Sequence, residues 1–282
     1  MIFLINFSRI ILLALIFVGT YIQAGQLEAE KAGMSQERLE RIAPALSKYV
    51  ASGQLPGLIT AVARKGEMVH FEVQGFSDVK NSLPLKRDSL FRIYSMSKPI
   101  TGVALMILIE EGKIRLSDPV ALYIPEFAGM KVLVVNSDGT TSLESQSRRM
   151  TIRDLATHTS GVAYNFTANK ELAAIYNENK MSPYFSIDDP DSLGELLLQG
   201  EGMDTDNLKE FDDICDFSQS LATKTPLMHQ PGSQYTYGMS MDVLGCVIER
   251  VSGKTFDVFL KERIFDPLEM RDTFFSVPND KA

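Results

Sequence analysis

The sequence predicts a mixed α/β (α+β) chain, with an antiparallel hairpin between helices and mostly helical segments after it. Three observations carry that expectation. Leu58–Arg64 and Met68–Val73 are short β-forming runs joined by Lys65-Gly66, a hairpin pattern. Residues 35–50 repeat apolar side chains at helical spacing through Leu39, Ile42, Leu46, Tyr49 and Val50. Two further helical stripes follow, one after Pro99 and one through Val243, Leu244, Val247, Ile248 and Val251. With 282 residues the chain can bury a full core, as one large domain or two.

The first 24 residues stand apart from this plan. Arg9 precedes the apolar run from Ile10 to Val18, and Ile22-Gln23-Ala24 offers a small residue for cleavage before Gly25. A charge, a short apolar core and a small residue make a secretory signal. The expected organisation is a signal peptide over 1–24 and one domain over 25–282, exported to the periplasm or secreted. A retained anchor is the alternative, and the only expected membrane association is through this segment. No cysteine follows the run, which rules out lipoprotein attachment there.

Gly53 and Pro56-Gly57 end the helix of residues 35–50, and Ser89–Tyr94 leads from the hairpin to the next helix. Asp118-Pro119 and Ile124-Pro125 punctuate a loop-rich stretch. Thr151 and Asp154 have the spacing of a helix cap with an acidic partner three residues on, opening a short helix into His158-Thr159-Ser160-Gly161. Residues 165–220 are acidic and irregular, and read as a solvated insertion. A calcium site is the weaker reading, because Asp204-Thr205-Asp206-Asn207 lacks the glycine and distal glutamate of a calcium loop. The Val243 stripe stops at Ser252-Gly253, and Thr255 caps the following helix. Gly253-Lys254-Thr255 resembles the end of a phosphate loop, but Ile248 stands where its first glycine belongs.

Composition excludes several functions. Apolar residues make up 45% and charged residues 23%, an ordinary globular balance, and the net charge of −8 with no basic stripe argues against nucleic-acid binding. His70, His158 and His229 are too scattered for a zinc site. Cys215 and Cys246 could pair in an exported protein, but Cys246 lies in an apolar helical stretch, where a buried free thiol is the favoured reading.

Chemistry enters at Ser95-Met96-Ser97-Lys98. On a helix, residues three apart share a face, so the Lys98 ammonium can reach the Ser95 hydroxyl. A serine becomes nucleophilic only when a neighbour takes or shares its proton. Pro99 suits a first helical turn, Ile100, Val103, Ala104, Met106, Ile107 and Ile109 continue the helix, and Gly112 stops it. Ser77-Asp78-Val79-Lys80 repeats the spacing among turn formers and serves as an internal control. Pro231-Gly232-Ser233-Gln234-Tyr235-Thr236-Tyr237 then places an aromatic hydroxyl just before the Val243 helix. A phenol titrates near pH 10, and a nearby cation such as Lys98 favours its phenolate. Ser95, Lys98 and a tyrosine thus make a proton relay without histidine.

At these residues the chain resembles the serine β-lactamase and penicillin-binding-protein-like superfamily, closest to class C β-lactamases and family VIII esterases. The resemblance rests on Phe91–Pro99, on Leu116–Val120 with Tyr123–Phe127, on Leu155–Gly161, and on Pro231–Gly253. It implies an antiparallel sheet flanked by helices, a mainly helical lobe, and no cofactor. It also implies Ser95 as acylated nucleophile, Lys98 as its proton partner and Tyr237 as base, with Tyr235 taking a packing position. His158 is expected to hold its loop near the site. Ser160 resembles a nucleophile-elbow serine only superficially, since no glycine stands two before it.

Two departures from the family pattern shape the expectation. Met239 stands where β-lactamases carry an asparagine that binds the acylamido group, which tilts the reading towards ester hydrolysis. The third family motif, a Lys-Thr-Gly-like strand, has no counterpart in residues 238–282, so the C-terminal sheet strands are expected to be missing from a truncated domain. The expected substrates are small esters, then β-lactams or D-alanyl peptides. The alternative is a non-catalytic penicillin-recognising or peptidoglycan-associated binder, or an inactive fragment.

Overall fold

The computed structural model describes residues 29–181 and 211–281, and they fall into two compact units that meet in sequence at Phe91 and Arg92. The expected signal segment and the centre of the acidic stretch, including Asp188 to Asp206, lie outside the described residues.

In the first unit, residues 35–50 form two helices rather than one: α1 (Gln36–Leu39) and α2 (Ile42–Ala51). Pro44 explains the break. It has no N–H to donate to the Glu40 carbonyl, so a helix cannot run through, whereas a proline in the first turn of a new one costs nothing. Ser35 caps α1 by accepting from the Arg38 N–H. The hairpin forms as expected between β1 (Gly57–Arg64) and β2 (Glu67–Asp78), antiparallel. Its turn residues, Lys65 and Gly66, both take left-handed φ values of 53° and 82°, the twist a two-residue hairpin needs. Beyond the expected end at Val73, β2 continues to Asp78 and pairs with β3 (Leu83–Pro84), giving sheet order β1-β2-β3. A small core of Ala29, Ala32, Leu39 and Val69 underlies it. The control serine is spent here, because Ser77 Oγ donates to the Leu83 carbonyl at 3.3 Å while Asp78 accepts from Asn81.

The second unit is built on helices. α3 (Ser97–Glu110) ends at Gly112, whose φ of 69° fits a glycine stop. Its buried face is Thr101, Ala104, Leu105 and Leu108, while Val103 and Met106 of the expected stripe are exposed. After the loop-rich stretch comes an antiparallel hairpin that periodicity did not announce, β4 (Lys131–Val135) with β5 (Thr141–Ser145). α4 (Ile152–Ala156), α5 (Lys170–Glu178) and α6 (Ile214–Lys224) follow, then α7 (Ser240–Ser252) and α8 (Phe256–Leu260). The central helix is α7, packed against α3, α4, α6 and α8, with Val243, Leu244, Val247 and Ile248 fully buried.

Facing turns of α6 and α7 bring Cys215 and Cys246 to a Cα separation of 4.8 Å, and the two form a disulfide. This corrects the expectation of a free buried thiol. Cys246 is buried as read, but the helix that covers it presents a second cysteine. The bridge closes a 31-residue separation, for which chain entropy gives about 3–4 kcal/mol. Reduction under mild denaturant is therefore expected to lower the unfolding midpoint, measured by circular dichroism with and without dithiothreitol.

The capping box at α4 is present as read: Thr151 Oγ1 accepts from the Asp154 N–H, and Asp154 accepts from the Thr151 N–H. Arg148 adds two bonds to the Asp154 carboxylate, at 2.7 and 2.8 Å. Burial works to raise that carboxyl, but the bonds from Arg148 and Thr151 outweigh it and hold it below the usual range. Stability from this group is present above the unfolded carboxylate range and is lost as pH falls through the lowered folded value. Asp154→Ala removes several charge-assisted bonds at once and is expected to cost about 2–3 kcal/mol in urea unfolding at pH 7.

Candidate active site

The chain turns sharply into the site. Tyr94 takes a φ of 42°, unusual for a bulky residue, and opens a single 3₁₀ turn over Tyr94–Met96. Ser95 sits in that turn, two residues before α3, and Pro99 is the third residue of the helix. Lys98 follows one turn later, and its Nζ donates to Ser95 Oγ at 3.1 Å. Thus Ser95 is poised at the mouth of the helix, with its side chain exposed.

Tyr237 arrives from the other side on the loop before α7. The loop is tied down at successive points: the Gly232 N–H donates to the Thr159 carbonyl, the Thr236 N–H to the His158 carbonyl, and Thr167 Oγ1 to the Tyr237 carbonyl. Gly238 is required for the approach, since a Cβ there would lie 2.2 Å from the Val162 carbonyl oxygen. The outcome is a Tyr237 hydroxyl that donates to Ser95 Oγ at 2.5 Å, with Lys98 Nζ 4.7 Å from the centre of its ring. Partial burial pushes the phenol up, but the bonds from Lys98 and Ser95 and the lysine charge prevail and hold it below its ordinary range.

Ser95, Lys98 and Tyr237 therefore converge. A fourth group joins them that pattern reading did not single out. Lys98 Nζ donates to Tyr164 Oη at 3.2 Å, and the Tyr164 ring stacks on Phe166 with centroids 5.0 Å apart. Its only sequence signal is position, three residues beyond Gly161. Asp242, in the first turn of α7, is the other addition: burial raises its carboxyl to about 6 against the pull of Lys98.

The remaining candidates fall away from the chemistry. Tyr235 does not take a packed position; it is 65% exposed, its ring in a T-shaped contact 5.9 Å from that of His158. Ser160 is fully buried and bonds Ser240 Oγ at 2.8 Å. Met239 is also fully buried, so its side chain serves the core rather than the site. His158 lies under the tyrosine loop, its Nδ1 accepting from the Gly238 N–H at 3.3 Å and its ring 5.0 Å from that of Tyr237.

Burial and the Lys98 charge push the His158 pKa down to about 4. The imidazole is therefore neutral at physiological pH and accepts from backbone. Because the unfolded chain binds that proton near pH 6.5, stability is expected to fall as pH drops from about 6.5 to about 4, by about 3 kcal/mol at most. Urea unfolding at pH 7 and pH 4.5 reads this, and His158→Asn should flatten the difference.

Comparison with known proteins supplies the context. The Beta-lactamase family model matches residues 42–282. Protein Rv1367c of Mycobacterium tuberculosis is 32% identical over 229 residues, covering 81% of this chain and 50% of that protein. Esterase EstB of Burkholderia gladioli is 31% identical over 222 residues, covering 79% of this chain and 47% of that one. Among solved structures, EstCE1, described as a hydrolase with promiscuous acyltransferase activity, superposes with a TM-score of 0.66 at 24% identity, over 87% of this chain and 56% of its own. That likeness speaks to fold. The chain spans about half the length of the curated relatives it matches. The antiparallel sheet, the helical lobe and the match across residues 42–282 agree with one another, and the chain belongs to the Beta-lactamase family.

Proposed function

We propose that the chain is an exported serine hydrolase working through an acyl-enzyme at Ser95, with esters of small acids as its first substrates and β-lactams or D-alanyl peptides after them. One observation carries the reading: Ser95 Oγ lies 2.5 Å from Tyr237 Oη and 3.1 Å from Lys98 Nζ, so once Tyr237 is ionised its phenolate is placed to take the serine proton. In the acylation step, which starts with Tyr237 ionised, Ser95 Oγ attacks the ester carbonyl carbon and its proton passes to the Tyr237 phenolate. The bond to the alcohol oxygen then breaks, and the alcohol leaves with that proton. A water adds to the acyl carbon in the second step, gives a proton to Tyr237, and the acid departs as Ser95 recovers its own. The Lys98 ammonium steadies the phenolate in both.

Esters come first because Met239, the residue in place of the β-lactamase asparagine, turns its side chain into the core. The names of relatives such as EstB support the same choice. Export is supported by the Arg9-to-Ala24 pattern and by the Cys215–Cys246 bridge, which belongs to an oxidising compartment.

Pre-steady-state hydrolysis of p-nitrophenyl butyrate tests the proposal. We expect a burst of nitrophenol equal to the enzyme concentration, then slower turnover. Folded chain giving neither burst nor turnover with this ester or with a chromogenic cephalosporin overturns it.

A further inference from the structure

Beside the relay lies a cavity of about 300 Å³, bounded by α3, α7, α8 and the segment Thr273–Phe275. Its lining is uneven. Lys98, Tyr164 and Asp242 are drawn together there by the Lys98–Tyr164 bond and the mutual pull of Lys98 and Asp242, and the smaller polar side chains of Ser97, Thr101 and Thr273 also line it. Aromatic and aliphatic side chains make up most of the remaining lining, among them Ile100, Met241, Phe256, Phe265 and Phe274. A second cavity of similar size, about 290 Å³, carries Lys131, Arg148 and Arg149 and includes none of the relay residues. The relay thus adjoins the apolar one.

We propose that this cavity is the acyl-chain subsite, and that the preferred substrates are esters of linear, medium-chain fatty acids rather than acetates. The inference rests on the hydrolase reading above and adds the class of acid. Lys98 joins the serine to the cavity. Its Nζ reaches Ser95 Oγ and its side chain also lines the cavity, so a carbonyl carbon held at Ser95 has its chain one side chain away from the apolar walls. Lys98, with Tyr164 and Asp242 beside it, stays with the carboxyl end of the acid, and the aromatic side chains take the methylenes. A dry cavity of about 150 Å³ accepts a benzene ring, so about twice that volume accommodates a chain of roughly eight carbons. Apolar lining with a few convergent polar groups is also the common form of a small-molecule site.

The test uses the full chain and p-nitrophenyl esters from acetate to dodecanoate. kcat/KM is expected to rise by up to about fourfold per added methylene and to turn over near the octanoate. Thr273→Trp, which fills the cavity, should lower the octanoate-to-acetate ratio at least tenfold. Phe274→Ala, which enlarges it, should move the optimum to longer esters. A flat chain-length profile, or a ratio unmoved in both folded variants, overturns the subsite while leaving the hydrolase reading intact. Calorimetric titration of Ser95→Ala with sodium octanoate and with sodium acetate separates the two claims. Octanoate binding that Thr273→Trp removes supports the subsite even if no ester turns over. If neither cavity variant folds, titration of the Ser95→Ala chain decides: octanoate binding no tighter than acetate overturns the proposal.

Discussion

Ser95→Ala is expected to reduce p-nitrophenyl ester hydrolysis on the order of 10⁶-fold, while Ser77→Ala leaves it unchanged. The contrast is demanding because both serines sit three residues before a lysine. They differ in what surrounds them. Ser77 lies on β2 and donates to a backbone carbonyl, whereas Ser95 receives bonds from a phenol and an ammonium. Spacing alone would give equal effects. Both variants should keep the wild-type unfolding midpoint, since Ser95 is exposed and its loss opens no cavity. Activity retained in the Ser95 variant would remove the nucleophile from the account.

Tyr237→Phe is expected to be the next largest effect, a loss of about 10²–10⁴ in kcat, the usual scale for a positioned proton-transfer group. Tyr235→Phe should stay within a few-fold of the parent. At position 237 the phenylalanine keeps the ring against His158 and Tyr164, so packing is preserved and only the hydroxyl is lost. The pH dependence adds a second readout. A phenolate base held below its ordinary range gives a rate that rises with pH and reaches its plateau before free tyrosine would ionise. Removing the lysine charge with Lys98→Met should shift that rise to higher pH as well as slow the reaction. A limb near pH 6.5 that disappears in His158→Asn would instead implicate histidine, against its neutral state above pH about 4.

What the sequence made legible was local. The Lys65-Gly66 turn, the Thr151–Asp154 cap, the Gly112 stop and the Ser95–Lys98 spacing each depend on residues within a few positions, and each stands in the structure as read. What escaped depends on distant neighbours. Tyr164 joins the site only because the loop after Gly161 folds back 66 residues from Lys98. The cysteines pair because α6 packs on α7, a contact no periodicity encodes. The buried face of α3 is not legible for a related reason. Its apolar residues nearly encircle the helix, so the pattern could not say which stripe the core would take. The break between α1 and α2 was legible in principle, since Pro44 stands in the sequence, yet the apolar spacing across it masks the proline.

The central claim is that Ser95 becomes covalently acylated. The most direct measurement is intact-mass and peptide-mapping mass spectrometry of the chain after exposure to a fluorophosphonate, with Tyr237→Phe in parallel. The account predicts one adduct per chain, confined to the peptide carrying Ser95, formed far more slowly in the Tyr237 variant. An adduct on Ser77, on Ser160 or on any other serine, or no adduct on a chain that is demonstrably folded, would contradict it.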